Sequence, residues 1–320
     1  MIAPRVLLGL LAVLAAAALM LAVSVGSVAL HWPALWTGGG SQVDRTILFD
    51  LRLPRALAAF AVGALLALAG ALMQVLLRNP LADPYVLGIS GGAASAALIA
   101  ILIGVSGIGL TAAAFAGALA SMALVFGVAR GRGSWNPARL LLTGVVIASG
   151  WAALIGFILT ISPTAGLKSM LFWLMGDLDF AGSPLPALAA VLVGLALSLA
   201  LARDLNVLAR GELQSRALGV EARRLSLAIY VIASLLTAAA VTLAGSVGFV
   251  GLVVPHALRL LGITDHRLLL PGAVLLGGAL VTCADTVSRT LLAPQQLPVG
   301  ILTALLGVPV FLYLLNRGRR

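Results

Sequence analysis

Apolar positions in this chain run unbroken for about twenty residues at a time, without the period-two alternation of a half-buried strand or the wide polar face of a helix in water. At 1.5 Å per residue, a helix of that length crosses the roughly 30 Å hydrocarbon core of a bilayer. Ten such runs are predicted: Val6 to Ala29, Pro54 to Leu77, Val86 to Gly104, Gly109 to Ala129, Ala138 to Ile161, Leu185 to Leu201, Leu225 to Ala244, Phe249 to Leu261, Leu269 to Leu292 and Ile301 to Leu315. The eighth is short, follows Gly245, Ser246 and Gly248, and carries Pro255 and His256. It reads as a half-helix or a kinked span.

Composition strengthens this picture. Apolar residues make up 62% of the chain and charged residues 9%, where an ordinary soluble domain has roughly 45–50% and about 25%. Hydrocarbon offers no partners for backbone N–H and C=O groups, so each span must satisfy its own as a helix. Continuous apolar runs also argue against an outer-membrane barrel, whose strands alternate. The expected fold is all-α, a polytopic membrane protein with ten transmembrane helices. Residues 1–320 are expected to form a single transmembrane domain, with 203–224 a cytoplasmic loop inside it. The run from Val6 to Ala29 is longer than the about 7–15 apolar residues of a signal peptide core and is taken as the first span.

Charge then orients the spans. With both ends placed in the cytoplasm, fifteen of the twenty basic residues fall inside, Arg132, Arg319 and Arg320 among them, and only Arg45, Arg52, Arg55, Lys168 and Arg289 outside. That bias is the positive-inside signal, and a miscounted span in the middle would scramble it. The same scattering argues against nucleic-acid binding, because the arginines form no stripe along one face.

Several chemistries are excluded. A lone Cys283 and three dispersed histidines, His31, His256 and His266, make no disulfide framework and no metal cluster. Lys168 is the one lysine, so a phosphate-cradling G-x-x-x-x-G-K-[ST] loop is missing and any ATP is hydrolysed on another subunit. No H-E-x-x-H or convergent nucleophile and base marks an intramembrane enzyme. An ion-coupled secondary transporter would need ionisable groups within the spans, and Asp285 alone is a thin basis for one. Asp285 and Arg289 stand one helical turn apart and are expected to pair. Met73 and Gln74 are expected to pack against other helices.

Two polar segments on the expected cytoplasmic side could carry function. In Arg78-Asn79-Pro80-Leu81-Ala82-Asp83-Pro84-Tyr85 the prolines stop helices while Asn79 and Asp83 cap and turn, which makes either a rigid hairpin or a hinge at the inner mouth. Pro255 and His256 are further gate candidates. In the loop from Arg203 to Arg224, Gly211 breaks and Gly219 caps two short helices. Their apolar positions Leu205, Leu208, Leu213, Ala217 and Leu218 are too few for a core and suit a partner surface or the lipid headgroups.

Leu53-Pro54-Arg55, Gly70-Ala71-Leu72-Met73-Gln74, the Arg78 to Pro84 segment and Leu87-Gly88-Ile89-Ser90-Gly91-Gly92-Ala93 together resemble the signature of the iron-chelate and cobalamin class of bacterial import permeases. Gly211-Glu212, Ala217-Leu218-Gly219 and Gly251-Leu252-Val253-Val254-Pro255-His256 extend the resemblance over essentially the whole chain. The resemblance implies an inner-membrane permease that binds no cofactor itself, pairs with a second copy, and works with two ATPase subunits that hold ATP and Mg. A periplasmic substrate-binding protein delivers the ligand. Leu205, Leu208, Gly211, Glu212, Leu213, Ala217, Leu218 and Gly219 would then couple to the ATPase, and Arg52, Arg55 and Arg289 would hold acidic residues of the binding protein. Anchoring at lipid headgroups is the plainer alternative for these arginines. Little charge along the spans suggests an apolar path and an iron-containing chelate, haem, as the substrate, with a ferric siderophore or cobalamin the alternatives.

Overall fold

The computed structural model describes residues 4–26, 28, 41–130 and 137–317. The expected end of the first span at Ala29 lies outside the described residues, as do His31, Arg132, Arg319 and Arg320. All regular structure among the described residues is helical. In chain order the helices are α1 (Pro4–Ser24), α2 (Gln42–Thr46), α3 (Leu53–Leu76), α4 (Ile89–Leu102), α5 (Ile108–Arg130), α6 (Pro137–Ile161) and α7 (Thr164–Leu174). They continue as α8 (Leu185–Ala200), α9 (Ala202–Leu208), α10 (Glu212–Ala217), α11 (Ala222–Ala244), α12 (Val250–Leu260), α13 (His266–Thr290) and α14 (Val299–Arg317).

Every predicted span coincides with one of these helices. Six helical stretches are long and apolar enough to cross a bilayer, and a seventh counts if α8 and α9, bent by 61° at Leu201, are taken as one. The apolar helices at the other three positions, including α4 and α12, are shorter. At α12 the eleven residues Val250–Leu260 reach only about 16 Å, so the half-helix reading holds there. The third span is shorter than predicted because Pro84 and the Asp83 cap turn residues Pro84–Leu87 into a 3-10 segment, and Gly88, at φ +71°, redirects the chain before α4 begins.

α3 is the axis of the molecule. It packs against α1, α8, α11, α12 and α13, and most of its residues have no access to solvent or lipid. Small residues permit this. A Cβ on Gly63 would stand 2.1 Å from the Gly277 carbonyl oxygen of α13, and one on Gly70 2.0 Å from the Gly251 carbonyl oxygen of α12. Without a hydrophobic force between helices in lipid, such close backbone approach supplies the attraction. By contrast α6 leaves most of its surface uncovered, and Val145, Val146 and Phe157 project outward, as a helix facing lipid would.

The second span also begins earlier than its predicted Pro54. Gln42 to Leu76 is one continuous 35-residue helix. Pro54 cannot donate the hydrogen bond that position requires, and the helix absorbs the defect as a π segment over Ile47–Arg52, in which the Leu53 N–H bonds to the Leu48 carbonyl five residues back. Arg52 thus projects from a helix, where a loop was expected, and Arg55 from the span expected to begin at Pro54. α7, with the 3-10 turn Leu178–Phe180 that follows, is a further element that hydropathy did not reveal.

Candidate functional site

Polar residues collect at the two ends of α3, about 36 Å apart.

At its N-terminal end, the π segment and the last turn of α13 converge. Asp285 is fully buried and is shared by two arginines. Arg55 donates to its Oδ1 from Nη2 at 2.9 Å and from Nε at 3.1 Å, while Arg289 Nε lies 3.0 Å from Oδ2. The expected Asp285–Arg289 pair is present, and Arg55 is a partner that sequence spacing could not supply. The Arg55 guanidinium also bonds Asp179, on the 3-10 turn after α7, whose side chain is half exposed. Arg289 Nη2 donates to the Ala22 carbonyl at 3.1 Å. Arg52 is buried among carbonyls at the end of α1, donating to Val23 (3.2 Å), Ser24 (3.0 Å) and Val28. The three arginines, Asp179 and Asp50 border a cavity of about 370 Å³, with Asp285 buried behind them. None of the three arginines is a free surface charge, since each has internal acceptors in this structure. Asp177, beneath them, accepts from the Asp179 N–H at 3.0 Å, and burial pushes its carboxyl up to about 6.

At the other end, α3 closes with a Schellman turn, in which the Asn79 N–H reaches the Gln74 carbonyl and the Arg78 N–H reaches that of Val75. The left-handed residue of that turn is ordinarily glycine; here it is Arg78, at φ +49°. A Cβ in that conformation costs about 1 kcal/mol. The hairpin beyond it follows the sequence expectation: Asn79 Oδ1 accepts from the Leu81 N–H at 2.9 Å, and Asp83 Oδ1 from the Tyr85 N–H at 2.8 Å. Burial pushes the Asp83 carboxyl up to about 6. Pro80 lies at the turn, and Pro84 packs on Gly251 of α12. Tyr85 Oη accepts from the Val247 N–H at 3.0 Å, tying the hairpin to the chain entering α12.

Gln74 has a larger part than the packing role expected for it. Pro255 has no N–H to offer the Gly251 carbonyl, so the first turn of α12 carries an unmet acceptor. Gln74 Nε2 lies 3.3 Å from that oxygen, 3.3 Å from the Leu252 carbonyl and 3.5 Å from the Ala82 carbonyl of the hairpin. Its Oε1 accepts from Arg259 at the far end of α12. One side chain therefore joins α3, the hairpin and both ends of α12. The sequence did carry a signal, since a lone amide in an apolar run is costly unless bonded. His256 stands edge-on to Phe311 of α14, with ring centroids 6.2 Å apart.

The loop after α8 divides in two. Leu205 and Leu208 of α9 are 0% and 2% exposed, which corrects the expectation that they face a partner. They fill the core because Asn206 anchors α9 to the start of α13, with Asn206 Oδ1 accepting from the His266 N–H at 2.9 Å and Nδ2 donating to Asp265 at 2.7 Å. After Gly211, at φ +118°, α10 is turned outward. Leu213 and Leu218 are 86% and 66% exposed, and Gln214, Arg216, Ala217 and Gly219 are exposed beside them. Gly219 closes α10 at φ +77°, with its N–H on the Arg216 carbonyl and the Val220 N–H on that of Ser215. Glu212 accepts from Arg216 at 2.8 Å and from Arg78 at 3.1 Å, and those two guanidiniums hold its carboxyl below the usual range.

A bundle of long apolar helices with its polar groups gathered at the two ends is the architecture of a polytopic membrane protein. The model of the FecCD transport family matches residues 13–317, and this chain belongs to that family. It is 44% identical over 307 residues to the cobalamin import system permease protein of Halobacterium salinarum, covering 92% of this chain and 82% of that protein. It is 41% identical to the hemin transport system permease protein of Yersinia pestis, covering 99% and 97%. A solved structure described as an inward-facing conformation of a metal-chelate type ABC transporter superposes with a TM-score of 0.87 at 33% identity, over 98% of this chain and 100% of that one.

Proposed function

We infer that this FecCD-family permease is the translocating subunit of an ATP-binding-cassette importer for a metal chelate. What carries the reading is the match along almost the whole chain to import permeases, together with an exposed apolar pair, Leu213 and Leu218, on a short helix outside the bundle. An exposed helix of that kind suits a groove on an ATPase, with Gly211 and Gly219 setting its angle. Two ATPase subunits bind ATP and Mg, and this chain performs no bond chemistry.

In the proposed assembly the permease pairs with a second copy in the bacterial inner membrane, with both termini and α10 on the cytoplasmic side. The arginine end then faces the periplasm. Docking of an acidic binding-protein residue there requires exchange, because Arg52, Arg55 and Arg289 already have internal acceptors. Asp179, half exposed, is the carboxylate an incoming acid would displace from Arg55. The hairpin from Asn79 to Pro84, with Pro255 and His256 of α12, forms the inner gate.

Haem is the first substrate assignment. It is a flat metal macrocycle suited to a path of low charge, and one relative is named for hemin transport. Cobalamin, also a metal macrocycle, is the alternative favoured by the name of the 44% identical relative. Proteoliposomes holding the permease and its genomically adjacent ATPase, with the binding protein on the periplasmic face, decide between them when haem, a ferric siderophore and cobalamin are compared. ATP-dependent uptake of haem alone is the expected result. Uptake driven by a proton gradient without ATP would overturn the importer reading.

A further inference from the structure

Arg78 occupies a backbone position that calls for glycine. Among the described residues only Arg78 and Phe249 are non-glycine residues at positive φ; Phe249, at φ +68°, opens α12, whereas Arg78 closes a helix, and the rest of the Schellman turn at Arg78 needs only the backbone. The side chain therefore has to explain its presence. It reaches out of the bundle to Glu212, the first residue of α10, at 3.1 Å. The other side-chain hydrogen bonds of α10 stay local, from Arg216 to Glu212 and from Ser215 to the Gly211 carbonyl. α10 also packs on its neighbours α9 and α11, but among the described side-chain hydrogen bonds Glu212 is the one that leaves α10, and it reaches the residue where α3 ends and the hairpin begins.

The connection continues inward. One helical turn before Arg78, Gln74 holds the hairpin carbonyl of Ala82 and the first turn of α12; after it, Asn79 and Asp83 shape the hairpin, whose Tyr85 holds Val247. The Arg78 and Glu212 side chains are 39% and 42% exposed, and an ion pair that wet adds little to stability. A costly backbone and a weak bond make poor sense as structural cement. They make sense as a linkage that carries displacement between two parts.

On the reading that α10 receives the ATPase, we propose that the Arg78–Glu212 pair is the link that transmits movement of α10 to the 79–87 hairpin and α12, with Arg78 a positioning residue for transport. The contiguous bonded chain is the physical basis; coupling through it is what the test measures.

The decisive variant is Arg78→Gly, which removes the side chain while relaxing the backbone. It is expected to leave the melting temperature of the purified complex unchanged or higher, leave ATPase attachment and hydrolysis intact, and raise the ATP consumed per molecule imported several-fold, with haem and cyanocobalamin as probes. Arg78→Ala is expected to uncouple equally. The exchange Arg78→Glu with Glu212→Arg is expected to restore coupling above either single variant. A second readout is independent of substrate: ATP and Mg should alter hydrogen exchange of residues 79–87 in the wild-type complex but not in R78G. Wild-type exchange behaviour and wild-type ATP use in both R78G and R78A would overturn the link. Retained ATPase attachment and transport after scrambling 212–219 would instead sink the role of α10 itself, so the two failures are told apart.

Discussion

The two ends of α3 solve the problem of polar groups in an apolar bundle in opposite ways. At the arginine end, full charges are buried: Asp285 has no exposure and holds Arg55 and Arg289 at 2.9 and 3.0 Å. At the hairpin end the buried groups are an amide and backbone carbonyls, and the carboxylate–guanidinium pairs, Glu212 with Arg78 and Arg216, lie at the surface. Removing a charge from water is expensive, and a buried charge that loses its partner is worse, so a buried network resists rearrangement. Amide–carbonyl bonds and wet ion pairs are each worth about 1 kcal/mol or less and exchange readily with water. The first arrangement suits a fixed frame that tethers α1, α3 and α13. The second suits a part that moves.

The largest expected effect tests the frame. Asp285→Ala leaves two guanidiniums buried without their shared carboxylate and is expected to cost roughly 3–5 kcal/mol, seen as a sharp loss of monodisperse protein in detergent and a lower melting temperature. Asp285→Asn, which keeps an acceptor, should fall between. Full stability of the alanine variant would mean that the end is not a frame. An intermediate effect is expected at the hinge side. Gln74→Leu strands the Gly251 carbonyl that Pro255 leaves unmet and removes the acceptor of Arg259, at roughly 1–3 kcal/mol. Hydrogen exchange of residues 79–87 should accelerate while the arginine end stays protected.

The smallest effect concerns Asp83, whose carboxyl in the fold stands at about 6 against 3.8 for the ordinary group. Between those values the folded protein binds the proton and the unfolded chain does not, so this group's contribution to stability falls as pH rises from about 4 to 6 and is level above. Asp83→Asn keeps an acceptor for the Tyr85 N–H and removes the titration. Its melting temperature should vary less than wild type across that window and be equal or slightly higher at pH 7.

Much of the membrane architecture was legible because lipid imposes one rule on every span. The predicted helix positions hold, as do the caps at Asn79, Asp83 and Gly219, since these depend on near neighbours alone. Where prediction slipped, a proline or a distant partner was responsible. Pro54 was read as a helix start, and the helix instead continues backwards through a π segment. Leu205 and Leu208 were read as surface, and Asn206 pins them inside against α13.

Hydrophobic runs and basic residues by themselves determined that the chain is an all-helical polytopic membrane protein, where its helices lie and which residue types flank them, because burial of backbone in hydrocarbon is a local demand. Tertiary structure alone decided which charges meet. That Asp285 serves Arg55 230 residues away, that Gln74 completes the turn Pro255 left open, and that Arg78 reaches α10 are matters of how helices cross, and no periodicity along the chain encodes a crossing.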